Sequence, residues 1–218
     1  MNIKLAIFDM DGTVLNTLQD ICDAVNHTLA EFGYEKRSYS ELIHYLGNGS
    51  RWIWENIFGD NDELIDRIMP VYGDYYKEHC ALATKPYKGI LEMFASLRRQ
   101  GIKIAIVSNK PDFAVQPLCQ QYFAGLIDFA CGERQGIRRK PAADSVLECL
   151  KKLQVNKEEA VYVGDSEVDV ATACNAGLEC LAVSWGFRTV EELQKAGAKK
   201  ILHKVEDLEK EILHTISK

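Results

Sequence analysis

The chain has 218 residues, of which 47% are hydrophobic and 27% are charged, a composition typical of a globular protein with a sizeable core. Its formal net charge of −6 disfavours binding to nucleic acid or to an anionic membrane surface, because such binding usually requires a basic face. No apolar stretch is long enough to cross a bilayer, and the apolar run at residues 3–10 is shorter than a signal peptide and contains acids. We therefore expect neither a nucleic-acid partner nor a membrane partner.

The sequence contains seven cysteines, an odd number, and no Cys-x-x-Cys pair. Most of them fall within apolar periodic segments, where a cysteine behaves as a small hydrophobic residue. This usage is typical of reduced thiols in an intracellular protein and differs from a disulfide framework. We therefore expect free cysteines and a cytoplasmic location.

Five short apolar runs predict buried β-strands. They lie at residues 3–8, 102–107, 126–130, 160–163 and 181–183. Helical periodicity occurs between them, at residues 89–100, from about residue 141 onward, and at residues 168–176. Gly101 and Gly177 mark the ends of two of these helices. The alternation predicts an α/β fold with a doubly wound parallel sheet, in which ligands bind beyond the carboxyl ends of the strands.

One long segment interrupts this alternation. Between residues 16 and 85 the apolar residues recur at helical spacing, as at Ile21 and Val25, and no run predicts a strand. We therefore expect an inserted α-helical domain at residues 16–85, with residues 1–15 and 86–218 forming the α/β core domain.

The insert contains a flexible turn, Gly-Asn-Gly-Ser at residues 47–50, which is followed by Arg51. The glycines permit close approach of the backbone to a ligand, and they equally permit a sharp reversal between two helices. The arginine could bind a substrate carboxylate or could lie on the solvated face of a helix. Gly49 and Arg51 are therefore candidate substrate contacts, with a purely structural turn as the alternative.

Asp9 and Asp11 follow the first predicted strand and stand two residues apart, so both side chains can face one site. Two close carboxylates repel each other unless a cation or a proton lies between them. A hard divalent metal that prefers oxygen ligands, with Mg²⁺ the leading candidate, suits such a pair. The alternative is structural, because acids before Gly12 can also form Asx-turns or cap a helix. The pair alone does not decide between these interpretations.

Three further places carry polar residues that could join this site. Ser108 and Asn109 directly follow a predicted strand, where their donors could hold phosphoryl oxygens or cap a helix. Lys140 precedes a predicted helix, where a cation suggests an external anion, although it also ends a basic run typical of a solvated surface. Asp165 could complete a metal site and Asp169 could orient Lys140, or both acids could simply interact with the dipole of the helix that follows.

A parallel sheet places the carboxyl ends of its strands along one edge. The predicted topology therefore brings acids, hydrogen-bond donors and a cation into one crevice: Asp9, Asp11, Ser108, Asn109, Lys140, Asp165 and Asp169. This set combines groups that bind a metal with groups that hold a phosphate. The combination favours phosphoryl chemistry over the separate structural alternatives.

The same segments resemble, in order, the four motifs of the haloacid dehalogenase superfamily. They are Phe-Asp-Met-Asp-Gly-Thr at residues 8–13, Val-Ser-Asn at 107–109, Arg-Lys-Pro at 139–141 and Gly-Asp-Ser-Glu-Val-Asp at 164–169. The helical insert is similar in position to the cap of phosphoglycolate phosphatase-like members. The resemblance implies a Rossmann-like core with an inserted helical cap, and it spans nearly the whole chain.

The resemblance also implies roles for individual residues. Asp9 would be the nucleophile that forms an aspartyl-phosphate, and Asp11 would act as general acid and then as general base. Mg²⁺ would be held by the Asp9 carboxylate, the Asp11 backbone carbonyl and Asp165, while Ser108 and Lys140 would hold the transferred group. The remaining candidates for binding phosphate or substrate, or for support, are Gly12, Thr13, Asn109, Gly49, Arg51 and Asp169.

The substrate implied is a small phosphomonoester, with phosphoglycolate the first candidate, and the chain would act as a monomer or homodimer. A phosphosugar mutase of the same superfamily is the main alternative, in which the aspartyl-phosphate returns its phosphoryl group to a bound sugar. A phosphorylation-controlled signalling module is the third interpretation, although the helical insert argues against it. The sequence does not separate these reactions.

Overall fold

The computed structural model describes residues 3–214, so residues 1–2 and 215–218 of the expected core domain lie outside the described part. Its strands are β1 (Leu5–Phe8), β2 (Leu15–Asn16), β3 (Lys85–Pro86), β4 (Lys103–Pro111), β5 (Phe129–Glu133), β6 (Ala160–Gly164), β7 (Glu179–Val183) and β8 (Ile201–Leu202). Its helices are α1 (Leu18–Glu31), α2 (Tyr39–Leu42), α3 (Ser50–Phe58), α4 (Asp62–His79), α5 (Ile90–Arg99), α6 (Asp112–Phe123), α7 (Asp144–Leu153), α8 (Glu167–Ala176), α9 (Val190–Lys195) and α10 (Val205–His214). Two short 3₁₀ turns occupy Ile43–Tyr45 and Lys157–Glu159.

Six strands form one parallel sheet in the order β5-β4-β1-β6-β7-β8. The chain winds outward from β1 in both directions, through β4 and β5 on one side and through β6 to β8 on the other. Phe8, the last residue of β1, pairs with Ile106 of β4 and with Val163 of β6, so Asp9 lies beside the residues that follow Ile106 and Val163. The predicted doubly wound α/β fold is confirmed, and its switch point lies at β1.

The sheet is buried on both faces because alternate residues of each strand point to opposite sides. Ala6, Phe8 and Ile106 belong to one apolar cluster, whereas Leu5 and Ile7 belong to the cluster on the other face. The first cluster continues into the inserted segment, where it includes the following side chains: Ile21, Val25, Leu29, Ile53, Trp54, Ile65 and Ile68. The insert therefore packs on the core through a shared apolar interior.

The inserted segment is helical and contains α1 to α4. Its two connections to the core lie side by side, because β2 and β3 form an antiparallel ribbon in which Asn16 pairs with Lys85. The expected domain boundaries, 15/16 and 85/86, fall within this ribbon. The Asp20 carboxylate at the start of α1 accepts hydrogen bonds of 2.8 to 3.0 Å from the backbone N–H groups of Ala83 and Thr84. This clamp ties the beginning of the insert to its end, and we use the name cap for residues 16–85.

Several boundaries differ from the sequence-based expectations. The prediction of a strand at residues 126–130 was wrong by about three residues, because a turn at 123–126 and the Asp128 side chain, which binds Arg98 and the Ile104 N–H, precede β5. β4 extends to Pro111, so Ser108 and Asn109 lie within its irregular end. α6, α9, α10 and β8 were not predicted. The helix expected from about residue 141 begins at Asp144.

All seven cysteines are free thiols, as expected, and five of them are buried. Across residues 3–214, none of the helices combines the length and the apolar character needed to cross a bilayer.

Candidate active site

Asp9 lies at the carboxyl end of β1 and is almost fully buried. Its backbone N–H donates to Val163 O at 2.9 Å, which continues the pairing with β6 for one residue. The carboxylate Oδ1 accepts a hydrogen bond from Met10 N at 2.7 Å and contacts Lys140 Nζ at 2.9 Å. Among the described residues none donates to its Oδ2, so that oxygen is the one left for a reaction partner.

A tight loop after Asp9 brings the first strand end against the Asp165 side chain. Gly12 has φ of +81°, and a Cβ at this position would lie 2.3 Å from Asp165 Oδ2. Only glycine fits both the left-handed backbone and the close approach. Thr13 Oγ1 donates to Asp165 Oδ1 at 2.8 Å, so the hydroxyl of Thr13 positions the carboxylate. Gly12 and Thr13 therefore shape the site around Asp165.

Three buried carboxylates meet at this edge of the sheet. Asp9, Asp165 and Asp169 each place one oxygen within 4.8 Å of the others, and each is less than 5% exposed. Burial raises the pKa of Asp9 to about 7, with Lys140 acting against it and Asp169 adding to it. Burial, followed by repulsion from Asp169 and Asp9, likewise raises the pKa of Asp165 well above its usual range. Such a set of oxygens fits a hard divalent cation, which would relieve the repulsion.

Lys140 lies between two of these acids and is buried. Its ammonium lies 2.8 Å from Asp169 Oδ1 and 2.9 Å from Asp9 Oδ1, and it donates to Tyr162 Oη at 3.0 Å. Burial alone would lower the pKa of Lys140, but the carboxylates of Asp169 and Asp9 raise the pKa well above its usual value. The lysine is therefore a fixed positive charge inside the site. Its neighbour Arg138, by contrast, pairs with Asp144 on the surface.

Asp169 holds Lys140 in place. Its Oδ2 accepts hydrogen bonds from Ser166 N at 3.1 Å and Ser166 Oγ at 2.6 Å, which completes a capping box at the start of α8. Its Oδ1 accepts from Lys140 and, at 3.1 Å, from Tyr162 Oη. Because both oxygens are already engaged, Asp169 serves to orient the lysine.

Ser108 and Asn109 reach the same edge from β4 but make different contacts. The Asn109 amide joins two loops, because Oδ1 accepts from Lys140 N at 2.8 Å while Nδ2 donates to Lys140 O at 3.0 Å and to Gly47 O at 3.1 Å. These bonds occupy the side chain, so Asn109 fixes the loop that carries the lysine. Ser108 Oγ accepts from Lys110 N at 3.3 Å and keeps its own proton for a ligand.

Asp11 has a partner that the sequence reasoning missed. Lys110 Nζ donates to Asp11 Oδ1 at 2.9 Å and also to the hydroxyl of Tyr76, which comes from α4 of the cap. The lysine side chain is only 1% exposed, and its ammonium lies 4.6 Å from the centre of the Tyr76 ring. Lys110 therefore joins a residue at the end of β1 to the cap.

The cap turn at residues 47–50 lies over the site, whereas Arg51 does not. Gly47, Gly49 and Ser50 line the cavity beside Asp9 and Asp11. The Arg51 guanidinium instead binds Asp62, Asp66 and Glu55 on the outer side of the cap. The structure therefore pairs the Arg51 charge with acids of the cap and does not bring Arg51 into the lining of this cavity, so a substrate contact of Arg51 stays a prediction.

A buried arginine holds the cap loop against the core. Arg188 pairs with Glu167 at 2.7 Å and donates to the backbone oxygens of Ile43 at 3.1 Å and Leu46 at 2.8 Å. Together with the bond from Asn109 to Gly47, these contacts describe a closed arrangement of cap and core. The cavity that remains is about 30 Å³, room for about two water molecules. We therefore expect the cap to move when a substrate enters.

Comparison with known proteins identifies the family of the chain. The family model for haloacid dehalogenase-like hydrolases matches residues 6–183, a range that contains Asp9, Lys140 and Asp165. The chain belongs to the haloacid dehalogenase-like hydrolase family. Within this family it is a phosphoglycolate phosphatase-like hydrolase, as the relatives below indicate.

Three relatives of this haloacid dehalogenase-like hydrolase illustrate the similarity. A phosphoglycolate phosphatase of Agrobacterium fabrum is 31% identical over 200 residues, which cover 85% of this chain and 82% of that protein. A protein provisionally named phosphoglycolate phosphatase from Lactobacillus delbrueckii subsp. bulgaricus has a crystal structure with a TM-score of 0.91 and 40% identity, covering 98% and 99% of the two chains. A predicted phosphatase of Clostridium acetobutylicum has a TM-score of 0.90 and 27% identity, covering 98% of this chain and all of that one.

Proposed function

We propose that this hydrolase removes the phosphoryl group from a small phosphomonoester, 2-phosphoglycolate first among them, through an aspartyl-phosphate on Asp9. The observation that carries the proposal is the buried cluster of Asp9, Asp165 and Asp169 beside the Lys140 ammonium. Fixed positive charge next to a carboxylate with one unbonded oxygen suits attack on a phosphate dianion. The names of the relatives supply the candidate substrate.

In the proposed reaction Asp9 Oδ2 attacks phosphorus while Asp11 donates a proton to the leaving oxygen, which departs as an alcohol. Asp11, now a carboxylate, then takes a proton from water as that water attacks phosphorus, which regenerates Asp9 and yields inorganic phosphate. The Ser108 hydroxyl holds a phosphoryl oxygen, and Lys140, which Asp169 keeps oriented, supplies positive charge beside the Asp9 carboxylate. Gly49 brings the cap backbone close to the bound ester.

We propose Mg²⁺ as the cofactor, held by the Asp9 and Asp165 carboxylates and the backbone carbonyl of Asp11. Its positive charge would stabilise the negative charge on the transferring group. Thr13 and the Phe187 N–H hold Asp165 in position, each through a hydrogen bond of 2.7 to 2.8 Å. The raised pKa values of Asp9 and Asp165 support the proposal, since burial disfavours ionisation of these carboxyls and a bound cation would offset that effect.

A panel of phosphate esters with and without Mg²⁺ tests the function. We expect phosphate release from 2-phosphoglycolate that EDTA stops and that Mg²⁺ restores, with slower release from sugar phosphates and inorganic pyrophosphate. Conversion of a sugar phosphate through a trapped bisphosphate, with negligible phosphate release, would instead identify a phosphosugar mutase. A long-lived aspartyl-phosphate without turnover would identify a signalling module.

The pH dependence of the free energy of unfolding provides a test of the proposed metal site. The raised pKa values of Asp9 and Asp165 mean that the folded metal-free protein binds more protons than the unfolded chain between about pH 4 and pH 7. Its free energy of unfolding should therefore fall as pH rises through this interval, by on the order of a few kcal/mol. Mg²⁺ should reduce the fall, because it binds the ionised carboxylates.

Urea unfolding at pH 4.5 and pH 7.5, with EDTA or with Mg²⁺, measures this dependence. Asp9→Asn is the matched variant, since it removes one titrating group and should flatten the curve in EDTA. A free energy of unfolding that rises over this interval in EDTA and is insensitive to Mg²⁺ would contradict the assignment of the cluster.

A further inference from the structure

The cavity between cap and core is lined by a basic side chain, Lys110, to which the proposed mechanism assigns no role. Its lining combines apolar side chains from the cap with polar groups at the ends of β1 and β4: Asp9, Asp11, Ile21, Leu46, Gly47, Gly49, Ser50, Ile53, Tyr72, Tyr76, Ser108, Asn109, Lys110 and Pro111. Within residues 3–214, Lys110 is the one basic side chain in this lining. Lys140 is not among these lining residues and is engaged by Asp9 and Asp169. A ligand group on the cap side of Asp11 would therefore meet Lys110.

The Lys110 ammonium keeps capacity for a ligand. It has three N–H donors, of which one is directed to Asp11 Oδ1 and one to the Tyr76 hydroxyl. Burial raises the pKa of Tyr76 well above its usual value, so this hydroxyl stays neutral and retains its own proton as a donor. The third ammonium proton and the Tyr76 hydroxyl proton thus remain for an acceptor in the cavity. Two donors, one of them charged, suit an anionic oxygen pair.

The start of α3 also favours an anionic group in this cavity. Gly49, its N-cap residue, offers no side-chain oxygen to the first-turn N–H groups, and both Gly49 and Ser50 line the cavity. An uncapped helix N-terminus carries partial positive charge and unpaired donors. It therefore favours an anion in the cavity that Lys110 also lines.

We propose that Lys110 determines substrate specificity by binding a carboxylate on the leaving group of the ester. This inference rests on the proposed function, since it concerns the leaving group of the ester that Asp9 and Asp11 would cleave. A short acid fits best, because the bulky side chains of Leu46, Ile53 and Tyr72 line the cap side of the cavity. The preferred substrates are therefore phosphate esters of small hydroxy acids, and neutral alcohol esters of equal length are poor substrates.

Binding of two phosphonates tests the inference without turnover. The carboxylate ligand is 3-phosphonopropionate, and propylphosphonate has the same chain length with a methyl group in place of the carboxylate. Calorimetry in Mg²⁺ should show that the wild-type protein binds the carboxylate ligand about 10- to 100-fold more tightly, the range of a charge-assisted hydrogen bond. Lys110→Met should reduce that preference to about equal binding, mainly by weakening the carboxylate ligand.

Control variants separate specificity from folding. Lys103→Met changes an exposed lysine at the other end of β4 and should keep the full preference. Lys110→Gln keeps a hydrogen-bond donor beside Tyr76 but no charge, so it provides a second test if Lys110→Met fails to fold. Hydrolysis of 2-phosphoglycolate and of ethyl phosphate by the same proteins should show the same change in ratio.

Four outcomes decide the matter. A wild-type protein without the carboxylate preference overturns the inference, and so does a Lys110 variant that keeps it. Equal weakening of both phosphonates also overturns it, because a purely structural lysine would act in that way. If ethyl phosphate is still hydrolysed in any of these three cases, the proposed phosphatase function is retained and only the role of Lys110 is rejected. Absence of phosphonate binding together with absence of phosphate release from every ester contradicts both.

Discussion

Replacing Asp9 with asparagine is expected to lower the rate of phosphate release on the order of 10⁴-fold or more, because an amide oxygen is a far weaker nucleophile than a carboxylate. The substitution preserves side-chain shape, so the hydrogen bond from Met10 N to Oδ1 can persist. It also removes one of three buried acids that repel each other, so the variant should fold at least as well as the wild-type protein. Steady-state phosphate release and thermal unfolding in EDTA measure both effects.

The matched control is Asp144→Asn, which changes an acid that pairs with Arg138 on the surface, at the start of α7. We expect its phosphatase rate to lie within about twofold of the wild-type rate, since surface ion pairs contribute little. Turnover by Asp9→Asn close to the wild-type level would show that the reaction does not pass through Asp9.

Replacing Lys140 with methionine is expected to destabilise the protein and to abolish activity together. The change leaves the buried carboxylates of Asp9 and Asp169 without their shared cation. Removing one partner of a buried ion pair costs about 3 to 5 kcal/mol in free energy of unfolding, because the remaining charge is uncompensated. The activity is lost as well, since the transferring phosphoryl group loses the positive charge of the ammonium beside Asp9. Urea unfolding and phosphate release measure the two losses.

Lys151→Met, on the exposed side of α7, serves as the control and should leave both quantities unchanged. Mg²⁺ should recover part of the stability of Lys140→Met, because a divalent cation can neutralise the same carboxylates. A free energy of unfolding within about 1 kcal/mol of the wild-type value would contradict the assignment, since it is below the cost of an unpaired buried charge.

The core of the site follows from strand order, and strand order was predictable. The short apolar runs before Asp9 and Asp165 predict adjacent buried strands, and parallel pairing brings those two acids together. Lys140 could be included because it precedes a helix at the same edge. Nothing in the sequence indicates that Lys140 is buried, because it belongs to the same basic run as Arg138. In the structure Lys140 is buried, whereas Arg138 is exposed.

The contacts between cap and core could not be predicted in this way. Lys110 stands one residue after the Ser108 and Asn109 pair, but its partner Tyr76 lies 34 residues earlier in a helix whose periodicity indicates only a buried face. Arg188 likewise reaches backbone oxygens more than 140 residues away in sequence. Such pairs depend on how two domains dock, and periodicity carries no information about docking.

The antiparallel ribbon at residues 15–16 and 85–86 has a consequence for how substrate choice can change. Because Asn16 and Lys85 face each other, the two ends of the insert are adjacent, and a segment of different length or shape can join the same two points. The register of Leu5 to Phe8 with its neighbouring strands does not depend on that segment. The proposed nucleophile Asp9 and the proposed specificity residue Lys110 thus both lie in the core, whereas the insert supplies Tyr76 and the apolar side of the cavity. Replacement of the insert would therefore change the shape offered to the alcohol without moving the proposed reacting groups.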